Sequence, residues 1–158
     1  MTSLIVHAVI GIALIVWIVR SNQQIFARPV VGPRISRLEI IYWLVGIAAI
    51  PFCYYFNYQF VLEYKTGVDN PIWGPGSWTQ FIELGYANPA ASSASLDYTI
   101  ISLILWPLFA IVDGKRRGIR RAWMYFAVIL FTSTATGIAL YFATVERQHR
   151  LQKADAFV

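Results

Sequence analysis

The sequence predicts an all-α integral membrane protein: a four-helix bundle with a short amphipathic helix at the interface between its second and third spans. Three observations predict it. Hydrophobic residues make up 58% of the 158 positions and charged residues only 13%, whereas soluble domains carry about 25% charged residues. The apolar residues fall into four runs separated by short charged segments, the pattern of membrane-crossing helices. The basic residues flank these runs, where membrane topology is set. The net charge of +5 is therefore read as topogenic, and nucleic-acid binding is not expected, because no basic face belongs to a folded soluble module. Cys53 is the single cysteine, so no intramolecular disulfide forms. No CxxC or Cys/His set implies a metal or other cofactor, and one domain, 1–158, is expected.

The first span covers about 3–19 and stops at Arg20. No Lys or Arg precedes it and no small-x-small cleavage site follows, so it reads as a retained helix rather than a signal peptide. A connector with Arg20, Arg28, Arg34 and Arg37 follows, broken by Pro29, Gly32 and Pro33. Ser36 and Glu39 form a capping-box pattern that announces the second span, about 39–60, with Pro51 expected to kink it. Its far end is dense in aromatics, from Phe52 to Tyr64, as in an interfacial belt.

The 61–94 connector carries Lys65 and the acids Glu63, Asp69 and Glu83. Within it Ser77 and Gln80 predict a second capping box, opening a helix over about 77–84 that Gly85 ends. Trp78, Phe81 and Ile82 share one face of it. Eight residues span only ~12 Å, too little to cross a bilayer, so this helix should lie along the interface or cover the bundle. The third span is about 91–112, with Pro107 inside, and ends in a loop with Lys115, Arg116, Arg117, Arg120 and Arg121. The fourth is about 122–144, and 145–158 is a polar tail.

Nine of the 13 Lys and Arg residues lie in the 20–37 and 113–121 segments. Two crossings separate those segments, so both are expected on the cytoplasmic side of the cell inner (plasma) membrane, leaving both termini non-cytoplasmic. Arg147, Arg150 and Lys153 in the tail run against that assignment.

The candidate site gathers at the non-cytoplasmic end: Asn57, Glu63, Trp78, Asn88 and Asp97. Ionisable groups at membrane depth cost about 2.5–3.5 kcal/mol at the helix centre, which makes them functional candidates. Glu63 and Asp97 are the candidate catalytic pair, since burial and mutual repulsion push two carboxyl pKa values apart. A plainer reading stands beside this one. Asp97 in a first helical turn simply meets the positive end of the helix dipole, with Ser92, Ser93 or Ser95 as N-cap, and Glu63 sits among headgroups. Asn88-Pro89 reads as a turn into a helix start. His7, without a second histidine at helical spacing, reads as an interhelical hydrogen-bonding residue. In the fourth span Thr132, Ser133, Thr134, Thr136 and Gly137 are read as a close-packing face, suited to a partner or homo-oligomer.

The run Tyr86-Ala-Asn-Pro-Ala-Ala-Ser-Ser, then Asp97, a long apolar span and Asp113-Gly-Lys-Arg-Arg-Gly-Ile-Arg resembles a family of small prokaryotic membrane proteins of unknown function. The likeness covers roughly Leu38 to Glu146 and implies a topology without a reaction. A looser similarity, to integral membrane terpene cyclases, implies that Asn57 and Glu63 take the part of the acids near helix ends that protonate isoprenoids in those enzymes. The function expected from all this is an accessory or assembly subunit of a larger membrane complex, or a binder of a lipid, quinone or isoprenoid. The alternative is a small membrane enzyme, an isoprenoid or lipid cyclase or isomerase, using those carboxylates.

Overall fold

The computed structural model describes residues 2–29, 32–67, 70 and 72–155, and among them all regular structure is helical. Asp69 and the side chain of Lys153 lie outside this description. Helix α1 covers Thr2–Ser21, the single turn α2 Gln23–Phe26, and α3 Arg37–Tyr64. The cover helix α4 is Trp78–Gly85. The third rod is α5 (Pro89–Ile100), a π-helical turn (Ile101–Leu105) and α6 (Trp106–Arg116). Three stretches, Ser3–Ser21, Arg37–Tyr64 and Pro89–Arg116, are long and apolar enough to cross a membrane.

Both expected Ser caps form. Ser36 Oγ accepts from the Glu39 amide at 3.0 Å and Ser77 Oγ from the Gln80 amide at 3.3 Å. Asn88, not one of the serines, caps α5, its Oδ1 accepting from the Ala91 amide at 3.0 Å with Pro89 at the first helical position. That start moves Asp97 out of the first turn. The π-turn precedes Pro107, which has no N–H to give and crowds the preceding turn; the Trp106 amide reaches back five residues to the Ile101 carbonyl.

The fourth run departs from expectation. It does not form one rod over 122–144. It divides into α7 (Met124–Phe131) and α8 (Thr134–Asp155), which fold back on each other as an antiparallel hairpin. The pairing shows the reversal: Tyr125 Oη donates to Thr144 Oγ1 at 2.9 Å, while a Cβ on Gly137 would lie 2.1 Å from Ile129 Cγ2. The break is local chemistry. Thr132 Oγ1 bonds back to the Val128 carbonyl at 2.7 Å, and Ser133 Oγ accepts from the Thr136 amide at 3.1 Å. Neighbouring hydroxyls thus offer the backbone partners other than the next helical turn. The small-residue face around Ser133 and Gly137, expected to meet another protein, is consumed inside this hairpin.

A second correction follows. Residues 145–155 are not a loose tail but the continuation of α8. This helix returns to the end of the bundle where α1 finishes and α3 begins. There Arg147 donates from Nε to the Ile25 carbonyl (3.0 Å), from Nη1 to Glu39 Oε1 (2.8 Å) and from Nη2 to the carbonyls of Phe26 and Ala27. Arg150 pairs with the other oxygen of Glu39. Glu39 is 1% exposed. Nearby, the buried Asn22 amide brackets the Arg120 peptide, donating to its carbonyl at 3.1 Å and accepting from its amide at 2.8 Å. The start of α1 lies at the opposite end, where His7 stacks on Trp78 of α4. The start of α1 and the end of α8 therefore lie at opposite ends of the bundle.

The buried core fills the half of the molecule nearer Glu39. Ile18, Trp106, Ala110, Tyr125, Val128 and Tyr141 pack there around the hairpin. Replacing Glu39 by Leu would leave Arg147 buried without its counter-charge, an arrangement that costs about 3–5 kcal/mol. Glu39→Leu should lower the midpoint of thermal unfolding in detergent by many degrees, while Glu63→Gln on the same helix leaves it in place. Equal midpoints for the two variants would show that the ion cluster does not hold the fold.

Candidate functional site

Because α7 is only eight residues long, it climbs ~12 Å before turning back. Above its tip the bundle is hollow. A cavity of about 600 Å³ lies there, within the range of small-molecule sites, roughly 300–1,000 Å³. Its floor is the hairpin tip, Phe131–Thr134. Its walls are the first turns of α1, the part of α3 from Cys53 to Val61, and α5 with the π-turn. Its cover is α4 with the loop before it.

The cover is fixed by its own sequence. Gly76 has φ +73°, and a Cβ there would lie 2.9 Å from Lys65 Cα, so only glycine suits the position. Its amide donates to Gln80 Oε1 at 2.7 Å. Trp78, Phe81 and Ile82, expected on one face, all line the cavity. Trp78 stacks on His7 with centroids 5.4 Å apart, and Phe81 meets Phe60 edge-on at 5.3 Å. At its other end Ser95 Oγ donates to the Gly85 carbonyl at 2.7 Å, joining α4 to α5.

The floor carries the polar groups. Thr134 Oγ1 lies 2.6 Å from Tyr98 Oη and 3.1 Å from Ser102 Oγ. Three hydroxyls bring three protons to two contacts, so one O–H is left to donate elsewhere. Tyr54 Oη donates to the Phe131 carbonyl at 2.9 Å, satisfying a backbone group that the end of α7 leaves without a helical partner. His7 lines the wall, and its Nδ1 is 2.7 Å from the Ser3 carbonyl.

Of the five residues singled out from the sequence, Asn57 and Trp78 line the cavity. Asn88 is the N-cap of α5, the plainer of its two readings. Glu63 and Asp97 are exposed, and neither lines the cavity. Among the described residues that line it there is no carboxylate, so Glu63 and Asp97 do not converge on this pocket. Sequence reasoning missed the contributions of His7, Tyr54, Tyr98, Ser102 and Thr134. The signal that was available is the hydroxyl run Thr132-Ser133-Thr134 within an apolar segment, which marks the helix break. Among the described residues no group of three His, Cys, Asp or Glu is placed to hold a metal ion.

Fold and cavity together define a small all-helical protein, three of whose helices are apolar enough to cross a membrane, with an aromatic-walled chamber at one end. The chain belongs to the family described as "Protein of unknown function DUF2834", whose match covers residues 41–147. The match runs from α3 to Arg147 and leaves out α1, close to the 38–146 extent of the expected resemblance. No curated protein and no solved structure matches the chain.

Trp78 closes the cavity without burying itself, being 44% exposed. Trp78→Ala should therefore raise the rate at which a small maleimide alkylates Cys53 in the wall severalfold, with little change in thermal midpoint. An unchanged rate would mean that α4 does not govern access.

Proposed function

We propose that this protein is a multi-pass membrane protein that holds a lipid, quinone or isoprenoid in the cavity above the hairpin tip, as a binding or accessory component rather than an enzyme. The observation that carries this reading is the cavity itself: about 600 Å³, aromatic on several sides, with hydroxyls at its floor and no carboxylate among its described lining residues. A mostly apolar chamber with a few placed polar groups fits an amphipathic guest. Insertion is supported by the outer surface, where Leu44, Phe52 and Phe56 on α3 and Ile5, Val9 and Ile12 on α1 are exposed. Apolar area of this extent is not left facing water by soluble monomers. The cyclase or isomerase alternative loses its support with Glu63 and Asp97 outside the cavity.

Sidedness changes with the return of α8. Twelve of the 13 Lys and Arg residues, all but Lys65, belong to the two connectors and the end of α8, which gather at one end of the bundle. That end is assigned to the cytoplasm. The basic C-terminal segment, which opposes a four-crossing topology, agrees with three crossings and a hairpin that enters and leaves on the same side. The N-terminus and the cavity then face the other side.

Two measurements test these statements. Cysteines placed at Thr2 and after Val158, each in a Cys53→Ser background, should behave oppositely in intact cells. An impermeant maleimide labels the first, and labels the second only after permeabilisation. Labelling of both in intact cells would restore the four-crossing topology. Separately, native mass spectrometry of protein extracted with its lipids should show one retained lipid-class molecule, and adding that molecule should slow Cys53 alkylation. Free alkylation at every ligand concentration, with no retained mass, would remove the binding reading.

A further inference from the structure

The geometry points to a ligand whose head group carries a hydroxyl that donates a hydrogen bond to Nε2 of His7, a lipid alcohol or a quinol rather than an ether or a quinone. This rests on the cavity-binding reading and specifies its chemistry. The argument starts from the 2.7 Å contact between His7 Nδ1 and the Ser3 carbonyl oxygen. A carbonyl oxygen only accepts, so Nδ1 carries the proton. Ser3 Oγ, 3.5 Å from the same nitrogen, is the weaker contact. In the neutral ring Nε2 is then an acceptor. Among the described residues no protein group bonds it: the other contacts of the ring are with Trp78 and Phe131, each at a centroid distance of 5.4 Å.

The ring is held on two sides, its tautomer is set by its own helix, and it lines a chamber with no carboxylate among its described lining residues. A guest with no donor would leave Nε2 unpaired in a site from which it displaces water, and an unpaired buried polar group is unfavourable. A hydroxyl head group supplies the missing proton. Once that hydroxyl has donated to Nε2, its oxygen can still accept, and the unassigned O–H of the Tyr98–Thr134–Ser102 trio is a donor in the same chamber. The aromatic rings around His7 suit either an isoprenoid chain or a quinol ring.

The test uses the full chain in detergent, with protection of Cys53 from alkylation as the readout. Two pairs of probes separate the head-group sources: geranylgeraniol against its methyl ether, and decylubiquinol against decylubiquinone. The hydroxyl form of at least one pair should bind about five- to tenfold more tightly than its partner, the range set by one net hydrogen bond. His7→Phe, which keeps an aromatic ring between Trp78 and Phe131, should abolish that preference while retaining binding. His7→Gln, with an amide oxygen that accepts, should restore part of it. Equal binding of both forms by the natural protein, or a preference that survives in His7→Phe, overturns the His7 assignment while leaving the cavity as a binding site. Failure of all four probes to protect Cys53 overturns both.

Discussion

The ion cluster of Glu39 with Arg147 and Arg150 sets the architecture. A carboxylate that is 1% exposed is tolerated only when its charge is matched and its oxygens are bonded. Here one oxygen takes Arg147 and the other Arg150. The rest of the Arg147 guanidinium is used on the carbonyls of Ile25, Phe26 and Ala27, which α2 leaves without helical partners. One side chain thus ties the end of α8, the turn after α1 and the start of α3. Once the end of α8 is fixed there, the fourth apolar run cannot be a single rod along the whole bundle. It must enter and return within the space between the other helices.

The hollow upper half follows from that constraint. A hairpin whose rising arm is eight residues long fills only part of the bundle, and the helices around it continue past its tip. The exposed backbone ends at the tip need partners in a setting without bulk water. Tyr54 supplies one for Phe131, Ser133 another for Thr136. Ser102, in the π-turn that Pro107 induces, is placed against Thr134. Dense packing and buried charge lie at one end, and a cavity with unassigned hydrogen-bonding capacity at the other, so the residues that hold the fold and those that line the cavity are largely separate.

Much of this was legible in the sequence. Length and composition locate the three long helices, and the Ser77–Gln80 spacing locates α4 to within one residue. The hairpin was not legible, because the run from Ala122 to Thr144 has the length and apolarity of a crossing, and hydropathy carries no information about reversal. The reversal is encoded in three consecutive hydroxyl residues and in Gly137, each also read naturally as helix-packing chemistry. The partner of Glu39 was hidden by distance: Arg147 lies 108 positions away, and the Ser36–Glu39 capping pattern already gave the acid a local explanation. In the structure only half of that box forms, since the Glu39 carboxylate turns to the arginines while Ser36 Oγ donates to Glu146 at 2.9 Å.

The same reasoning explains why the carboxylates Glu63 and Asp97 drew attention in the sequence. The cost of placing an acid in a membrane makes every acid near one a candidate, but Glu63 and Asp97 are exposed and do not line the chamber. The deeply buried acid is Glu39, and its partners belong to the ion cluster that ties the helices together. The uncharged amphipathic guest proposed above calls for polar groups that are few and individually aimed. Hydroxyls and an imidazole suit that proposal, and in a sequence they are inconspicuous, because serine, threonine and tyrosine occur throughout membrane helices for packing. Asn57 and Trp78 were found because they sit beside the aromatic belt. His7 was set aside because it has no second histidine, a condition that matters for a metal and not for a single hydrogen bond. It also lies outside the family match, in α1, whereas the floor and cover of the cavity lie within it. The chamber is thus shared ground for the matched segment, and its one imidazole is contributed by the helix that precedes it.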